Sequence, residues 1–346
     1  MGSRRRSALF GALAVALFFV SGAALYAAQQ GALPQEEKPA SSQGAGAPPG
    51  SLSLIIEPQA GTAPLQEMIK SASSSIDLVM YEFEDKNIEQ LLARRAKEGI
   101  AVRVILDNGY FGEGSSINEQ AFDYLRSSGV SVHWSPEYFA LTHQKTLVVD
   151  DNEALIMTFN LTPKYYKSDR DFGVVDTDLN DVAAIKEAFD SDWDGNAISA
   201  HSGDDLVWSP HSREQLLALI NDARTSLQIY NEEMADAGVV AALESAAARG
   251  VDVEIVMTYS SNWKPAFQAL SDAGAHIRTY KATAPLYIHA KVVIADGAQA
   301  FVGSENFSST SLDQNRELGL ILSDPDVVAS LQRTFEQDRQ SAAPFQ

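Results

Sequence analysis

The stretch His289-Ala290-Lys291-Val292-Val293-Ile294-Ala295-Asp296, with Gly303-Ser304-Glu305-Asn306 behind it, restates an earlier one: His143-Gln144-Lys145-Thr146-Leu147-Val148-Val149-Asp150, then Met157-Thr158-Phe159-Asn160. His, Lys, Asp and Asn recur at a uniform displacement of 146 residues, and an acid follows each copy at the same displacement, Asp171 and Glu317. The runs Leu147-Val148-Val149 and Val292-Val293-Ile294 read as buried strands, so each His-x-Lys is expected on a strand entering the core. Alternate residues share a strand face, which makes His143 project with Lys145 and His289 with Lys291.

The repeat extends outward from the motif. Ser75-Ile76-Asp77-Leu78, a helical stretch over 88–97 and Gly99 to Leu106 form a strand, a helix and a strand. Ser226-Leu227-Gln228-Ile229, 239–249 and Gly250 to Met257 repeat them at a displacement of 151. The five extra residues of the first half fall after Leu106, in the Gly- and Ser-rich segment 108–118. Phe189 and Asp192 answer Phe335 and Asp338 on the closing helices, again 146 apart. Each half therefore reads β-α-β-α-β-β-α, an α/β layer.

Two His-Lys-Asn sets suit phosphodiester chemistry without a metal. One imidazole attacks phosphorus, the other protonates the leaving oxygen, and cations with amide donors hold the phosphoryl oxygens. The second copy fits H-x-K-x4-D-x6-G-S-x-N throughout and resembles the phospholipase D superfamily; the first departs only at Met157-Thr158, where Thr158 keeps the hydroxyl and Met157 adds a side chain. The resemblance covers about 51–338. It implies two duplicated α/β/α sandwich halves about a pseudo-two-fold, with the active site at the seam. It implies His143 as nucleophile forming a phosphohistidine and His289 as general acid and then base; on the residues alone the reverse order stays open. Lys145 and Lys291 would charge-stabilise the non-bridging oxygens, Asn160 and Asn306 would donate to them, and Thr158 and Ser304 would support the phosphate. Asp171 and Glu317 would each fix a histidine tautomer, and Asp150 and Asp296 would tie strand ends or turns. The implied enzyme is a phosphodiester hydrolase or headgroup transferase acting on phospholipid at a membrane surface. No cofactor or metal is implied, and a monomer suffices because one chain completes its own site.

Composition bounds these expectations. The 346 residues contain no cysteine, which excludes disulfides and thiol-ligated metals, and the six histidines show no zinc-type pairing. Arg4-Arg5-Arg6 followed by an uncharged run to Ala28 reads as a signal peptide or an uncleaved anchor over 1–28, placing the rest outside the cytoplasm, secreted or periplasmic. Residues 29–50, rich in Ala, Gly, Pro, Gln and Ser, read as a disordered linker. The first half is then 51–200 and the second 201–346. A net charge of −20 repels nucleic acid at long range, which sets an extracytoplasmic endonuclease behind a phospholipase. A catalytically dead phosphate- or lipid-binding paralogue is a further alternative. A cardiolipin-synthase-like transferase is set back by the lack of a second bilayer-length apolar run.

Secondary candidates lie around the motifs. Lys164, Tyr165, Tyr166, Lys167 and Arg170 could form a phosphate or headgroup mouth, or an ordinary solvated loop. Tyr110-Phe111, Trp134, Tyr138-Phe139, Trp263 and Tyr287 could rim an acyl-chain site or simply fill the core. His133 and His276 read as packing residues, and His201 and His211 as exposed ones.

Overall fold

Alternation along the motif strands sorts their side chains into different cores. Leu147, Val149 and Leu155 join one cluster while Val148, Ala154 and Ile156 join another, so both faces of the sheet are covered. That is why these strands read as continuous apolar runs. The computed structural model describes residues 50–108, 117–196, 203 and 205–346. The expected leader, nearly all of the linker, Tyr110-Phe111 and His201 lie outside the described residues.

The first half runs β1 (Leu52–Glu57), α1 (Ala63–Ser71), β2 (Ser75–Met80), α2 (Lys86–Lys97), β3 (Ala101–Leu106), α3 (Glu119–Ser127), β4 (Ser131–Trp134), β5 (Thr146–Val149), β6 (Glu153–Met157), β7 (Asp169–Asp176) and α4 (Leu179–Trp193). The second runs β8 (Leu206–Ser209), α5 (Ser212–Asp222), β9 (Ser226–Tyr230), α6 (Ala237–Ala248), β10 (Asp252–Thr258), α7 (Lys264–Asp272), β11 (His276–Tyr280), β12 (Tyr287–Ile288), β13 (Lys291–Ala295), β14 (Gln299–Gly303), α8 (Ser309–Asp313), β15 (Glu317–Leu322), α9 (Pro325–Ser341) and β16 (Ala343–Pro344). The sheet orders are β1-β7-β6-β5-β2-β3-β4 and β16-β11-β10-β9-β13-β14-β15-β8. The seven-element reading of each half sits inside this longer run. Among the elements it leaves out are β1 and β8, whose partners β7 and β15 lie more than a hundred residues away in sequence.

The repeat extends to the helix ends. Asp85 caps α2 and Asp236 caps α6, each accepting from backbone N–H groups of the first turn, and Asp178 and Asp324 do the same for α4 and α9. Helices α1 to α3 cover the outer face of the first sheet, and α5 to α7 that of the second. The inner faces of both sheets meet α4 and α9 in one shared core that includes Ile156, Phe172, Ile185, Val292, Leu318 and Phe335. Among the described residues no helix is long and apolar enough to cross a membrane.

The halves are also exchanged at the seam. Strand β12 of the second half pairs with β7 of the first, Ile288 opposite Arg170, and Thr142 bridges Arg316 in the equivalent place. Buried Arg170 donates to Asp338 at 2.6 and 3.0 Å, and buried Arg316 donates to Asp192 at 2.8 and 2.8 Å. Both pairs run from one half to the other. Arg170 is thus a seam residue and not part of a headgroup mouth: only 3% of it is exposed. Tyr138 and Phe139 belong to the same seam, the phenol donating to Asp192 at 3.0 Å and the Phe139 ring lying 4.3 Å from the Arg316 guanidinium. Neither lines the cavity at the motif histidines. Trp134 stacks on Phe122 at 4.1 Å, and His133 on Trp193 at 3.8 Å.

Removing one partner of a buried ion pair leaves the other charge unpaired. Asp192→Ala and Asp338→Ala are each expected to lower unfolding free energy by about 3–5 kcal/mol in urea titration. Lys70→Ala, at the exposed Lys70–Glu67 pair, should change it by no more than roughly 0.5 kcal/mol.

Candidate active site

Both motif histidines lie just ahead of a strand, not on it as the apolar runs suggest, because the opposite half holds the backbone there. The His143 and Gln144 N–H groups donate to the Arg316 carbonyl at 2.9 and 3.0 Å. Those of His289 and Ala290 donate to the Arg170 carbonyl at 3.3 and 2.9 Å. The residue after each arginine then reaches the histidine so placed. His143 Nδ1 lies 2.8 Å from Glu317 Oε2, and His289 Nδ1 lies 2.9 and 3.2 Å from the Asp171 oxygens. The acids thus serve the histidines crosswise, each half orienting the imidazole of the other. A carboxylate at Nδ1 makes that nitrogen the protonated one and leaves the Nε2 lone pair for chemistry.

Each carboxylate is held in turn. Glu317 also accepts from Ser311 Oγ at 2.6 Å and Asn315 Nδ2 at 2.9 Å. Asp171 accepts from Thr158 Oγ1 at 2.5 Å. Thr158 and Ser304 are fully buried, their hydroxyls engaged with the backbone N–H of Phe172 and Leu318 at 2.9 and 3.2 Å. Neither opens into the cavity, so the phosphate-supporting role expected of them does not fit. Met157 points into the core of the first half and leaves the cavity wall untouched.

The lysines lie under the histidines, 1% and 0% exposed. Lys145 Nζ donates to the His143 carbonyl at 2.5 Å and lies 4.9 Å from the centre of the Tyr81 ring. Lys291 Nζ donates to the His289 carbonyl and, at 3.1 Å, to Glu232 Oε2. Asn160 and Asn306 line the cavity, their amide oxygens buried with no hydrogen-bond partner. Asp150 and Asp296 lie elsewhere, at left-handed turns with φ of 53° and 55°. Asp150 accepts from the N–H groups of Ser73, Ser74 and Ser75, and Asp296 from those of Arg224, Thr225 and Ser226. Slight burial would raise the Asp296 carboxyl, but these donors bring it down to about 2.

The cavity has a volume of about 1130 Å³ and opens along the seam. His143, Asn160, Asp171, His289 and Asn306 line it, together with Tyr165, Tyr166, Trp263 and Tyr287 from the secondary candidates. Glu57, Glu82, Asp169, Glu232 and Glu233 add carboxylates, and among the described residues no lysine or arginine lines the wall. Among those residues no three His, Asp or Glu side chains converge in an arrangement that could hold a metal ion. Glu232 was not singled out from the sequence. It aligns with Tyr81 at the displacement of 151 that relates β2 to β9, outside the motif.

Electrostatics separates the two half-sites. Burial lowers the His143 imidazole to about 4, with Lys145 adding to the effect and Glu317 opposing it. Burial also lowers Lys145, to about 7. Burial would raise Glu232, but Lys291 and His289 beside it hold its carboxyl well below the usual range.

A duplicated α/β chain with crossed His–carboxylate pairs at the seam defines the phospholipase D-like class. Within that class the chain belongs to the family described as cardiolipin synthase, PLD-like domain, whose model matches residues 65–193 and again 216–339. It is 26% identical to cardiolipin synthase 2 of Bacillus anthracis over 80% of this chain and 62% of that protein. It is 26% identical to cardiolipin synthase of Clostridium perfringens over 78% of this chain and 66% of that one. The chain thus spans less than two thirds of the length of these relatives. The solved structure of phosphatidylserine synthase from Haemophilus influenzae shares the fold, with a TM-score of 0.69 at 14% identity, covering 85% of this chain and 87% of its own.

The depressed His143 value carries a stability consequence. Between about 6.5 and about 4 the unfolded chain takes up a proton that the folded imidazole refuses, so stability falls as pH falls through that window and levels off below it. The contribution is roughly 3 kcal/mol. Urea titrations at pH 7 and 4.5 should show His143→Gln losing markedly less stability on acidification than the natural protein.

Proposed function

We propose that the chain transfers a phosphodiester-linked group of a phospholipid through a phosphohistidine, with an alcohol or water as acceptor. The observation that carries this reading is the pair of crossed carboxylate–imidazole contacts, which leave two Nε2 atoms for one cavity. His143, held neutral, attacks phosphorus through Nε2, and the bond to the leaving alcohol breaks as His289 gives that oxygen its Nε2 proton. The acceptor oxygen then attacks the same phosphorus, His289 takes the acceptor's proton, and the P–N bond pair returns to His143. Buried Lys145, with the Asn160 and Asn306 amides, stabilises charge on the non-bridging oxygens.

Membership of the cardiolipin synthase, PLD-like family favours a lipid substrate and reverses the weighting that set such a transferase behind a hydrolase. That weighting rested on apolar length, a property of membrane attachment and not of the site. The carboxylate-lined wall does not suit a polyanion, which favours lipid over nucleic acid. Export directed by residues 1–28, and action as a monomer, are part of the same proposal.

The decisive assay offers phosphatidylglycerol vesicles and single-stranded DNA in EDTA to the natural protein, His143→Ala and His289→Ala. Lipid turnover should fall by at least about a thousandfold in both variants. Acid-labile, alkali-stable phosphorus label from the phosphatidyl donor should be absent from His143→Ala, and His289→Ala should accumulate it when the leaving group needs no protonation. DNA cleavage alone would replace the lipid reading with the endonuclease, and silence on both would favour the binding paralogue. On the natural protein, kcat/KM should fall as pH drops through about 4, where His143 gains a proton, and as pH rises through about 7, where Lys145 loses its charge.

A further inference from the structure

The half-sites differ where the fold repeats most closely. Strands β2 and β9 begin at equivalent residues, Ser75 and Ser226, and just beyond their ends the equivalent positions are Tyr81 and Glu232. Tyr81 packs edge-on against His143 with ring centres 4.6 Å apart, and its ring faces the Lys145 ammonium. Glu232 Oε2 lies 3.5 Å from His289 Nε2 and 3.1 Å from Lys291 Nζ, while Tyr287 donates to its other oxygen at 3.2 Å. One reacting nitrogen thus has an aromatic neighbour and the other a carboxylate. The Glu232 side chain is 28% exposed at the cavity wall.

We infer that Glu232 is a specificity-determining residue that makes the His289 side the alcohol side and selects an alcohol carrying a positive charge two carbons from its reacting oxygen. This rests on the phosphodiester-transfer reading above. A carboxylate beside Nε2 repels phosphoryl oxygens, so these belong with Lys145, which meets Tyr81 where Lys291 meets a carboxylate. The oxygen that exchanges a proton with His289 Nε2 then lies next to Glu232. A substituent two carbons further on is within reach of Oε2. An ammonium group there gains a charge-assisted contact that a neutral hydroxyl does not. The surroundings agree: Trp263 and Tyr287 offer aromatic faces, and no lysine or arginine on the described wall opposes a cation.

In the selected step, the hydroxyl oxygen of the amino alcohol attacks the phosphorus held on His143 Nε2. The P–N bond breaks with its electron pair returning to the imidazole, and the hydroxyl proton passes to His289 Nε2. Glu232 neither gains nor loses a proton. Its contribution is a difference in affinity between acceptors.

The test supplies phosphatidyl-p-nitrophenol in mixed micelles as donor, with choline and glycerol at equal concentration in water, to the full chain. Phosphatidylcholine, phosphatidylglycerol and phosphatidate all drain from one phosphohistidine, so their ratios are independent of how fast it forms. The natural protein should favour choline over glycerol by at least about tenfold, roughly 1.4 kcal/mol. Glu232→Gln should bring that ratio close to one and leave the glycerol-to-water ratio within about twofold, and Glu232→Asp should keep most of the preference. A structural role would slow all three products together without moving the ratios. A choline-to-glycerol ratio unchanged in Glu232→Gln, or a natural protein that prefers glycerol, overturns the inference alone. No p-nitrophenol release by the folded natural protein overturns the phosphodiester-transfer reading, and this inference with it.

Discussion

The exchange of supports across the seam is the constraint on which the rest of this molecule depends. Arg170 and Arg316 each use the backbone carbonyl to hold the opposite half's motif segment and the guanidinium to grip the opposite half's closing helix. The next residue in each case, Asp171 or Glu317, sets the opposite histidine. A single half would have an imidazole without its orienting acid and an arginine buried without its counter-charge. Burying a guanidinium is costly unless the pairing geometry is good, and two bidentate pairs supply that geometry. Positioning of the site and cohesion of the halves therefore come from the same four consecutive-pair residues.

Within this symmetric frame the deviations are compensated or functional. Met157 replaces Gly303, yet the same strand carries Leu155 where the other carries Phe301. A Cβ on Gly303 would meet the Glu305 carboxylate, Gly319 Cα at 2.5 Å and the Phe301 ring at 2.7 Å, so these neighbours and the large ring together exclude a side chain there. With leucine in its place, methionine fills the volume. Glu305, the counterpart of Phe159, is fully buried, and burial pushes its carboxyl well up. The Tyr81 and Glu232 pair is different in kind, because no neighbouring change restores the charge balance. A nucleophile must keep its lone pair and an acid must carry a proton, so equal environments would serve one of the two histidines badly.

The features legible in the sequence were those set by local chemistry. Equal displacement exposed the duplication, alternation exposed the buried strands, and the motif brought both histidines, lysines and asparagines to one region. What stayed hidden was set by contacts distant in sequence. The crossing of Asp171 to His289 follows from β12 leaving its own half to pair with β7, and that of Glu317 to His143 from the Thr142–Arg316 bridge; a two-residue strand and a single bridge carry too little pattern to read. Arg170 looked solvated because its sequence neighbours are polar, although its own side chain is turned into the seam. Thr158 and Ser304 lie two residues before the cavity-lining Asn160 and Asn306 in sequence, yet their side chains are buried away from the cavity. Glu232 was missed because its repeat offset is that of the preceding strand pair and not that of the motif.

A chain of net charge −20 and a cavity wall on which no lysine or arginine lies among the described residues stand against the approach of a phosphodiester, and the answer lies in distance. Exposed carboxylates act through water and salt, which attenuate their field over roughly 10 Å. Lys145 acts from a site removed from water, where screening is weak and a short separation counts for most. Burial that lowers its proton affinity also strengthens its attraction for any anion brought into contact. On the phosphodiester-transfer reading, the outer field discourages polyanions from approaching, while the buried ammonium and the Asn160 and Asn306 amide N–H groups attract one phosphoryl group that has entered. Charge of opposite sign at two depths thus separates admission from binding.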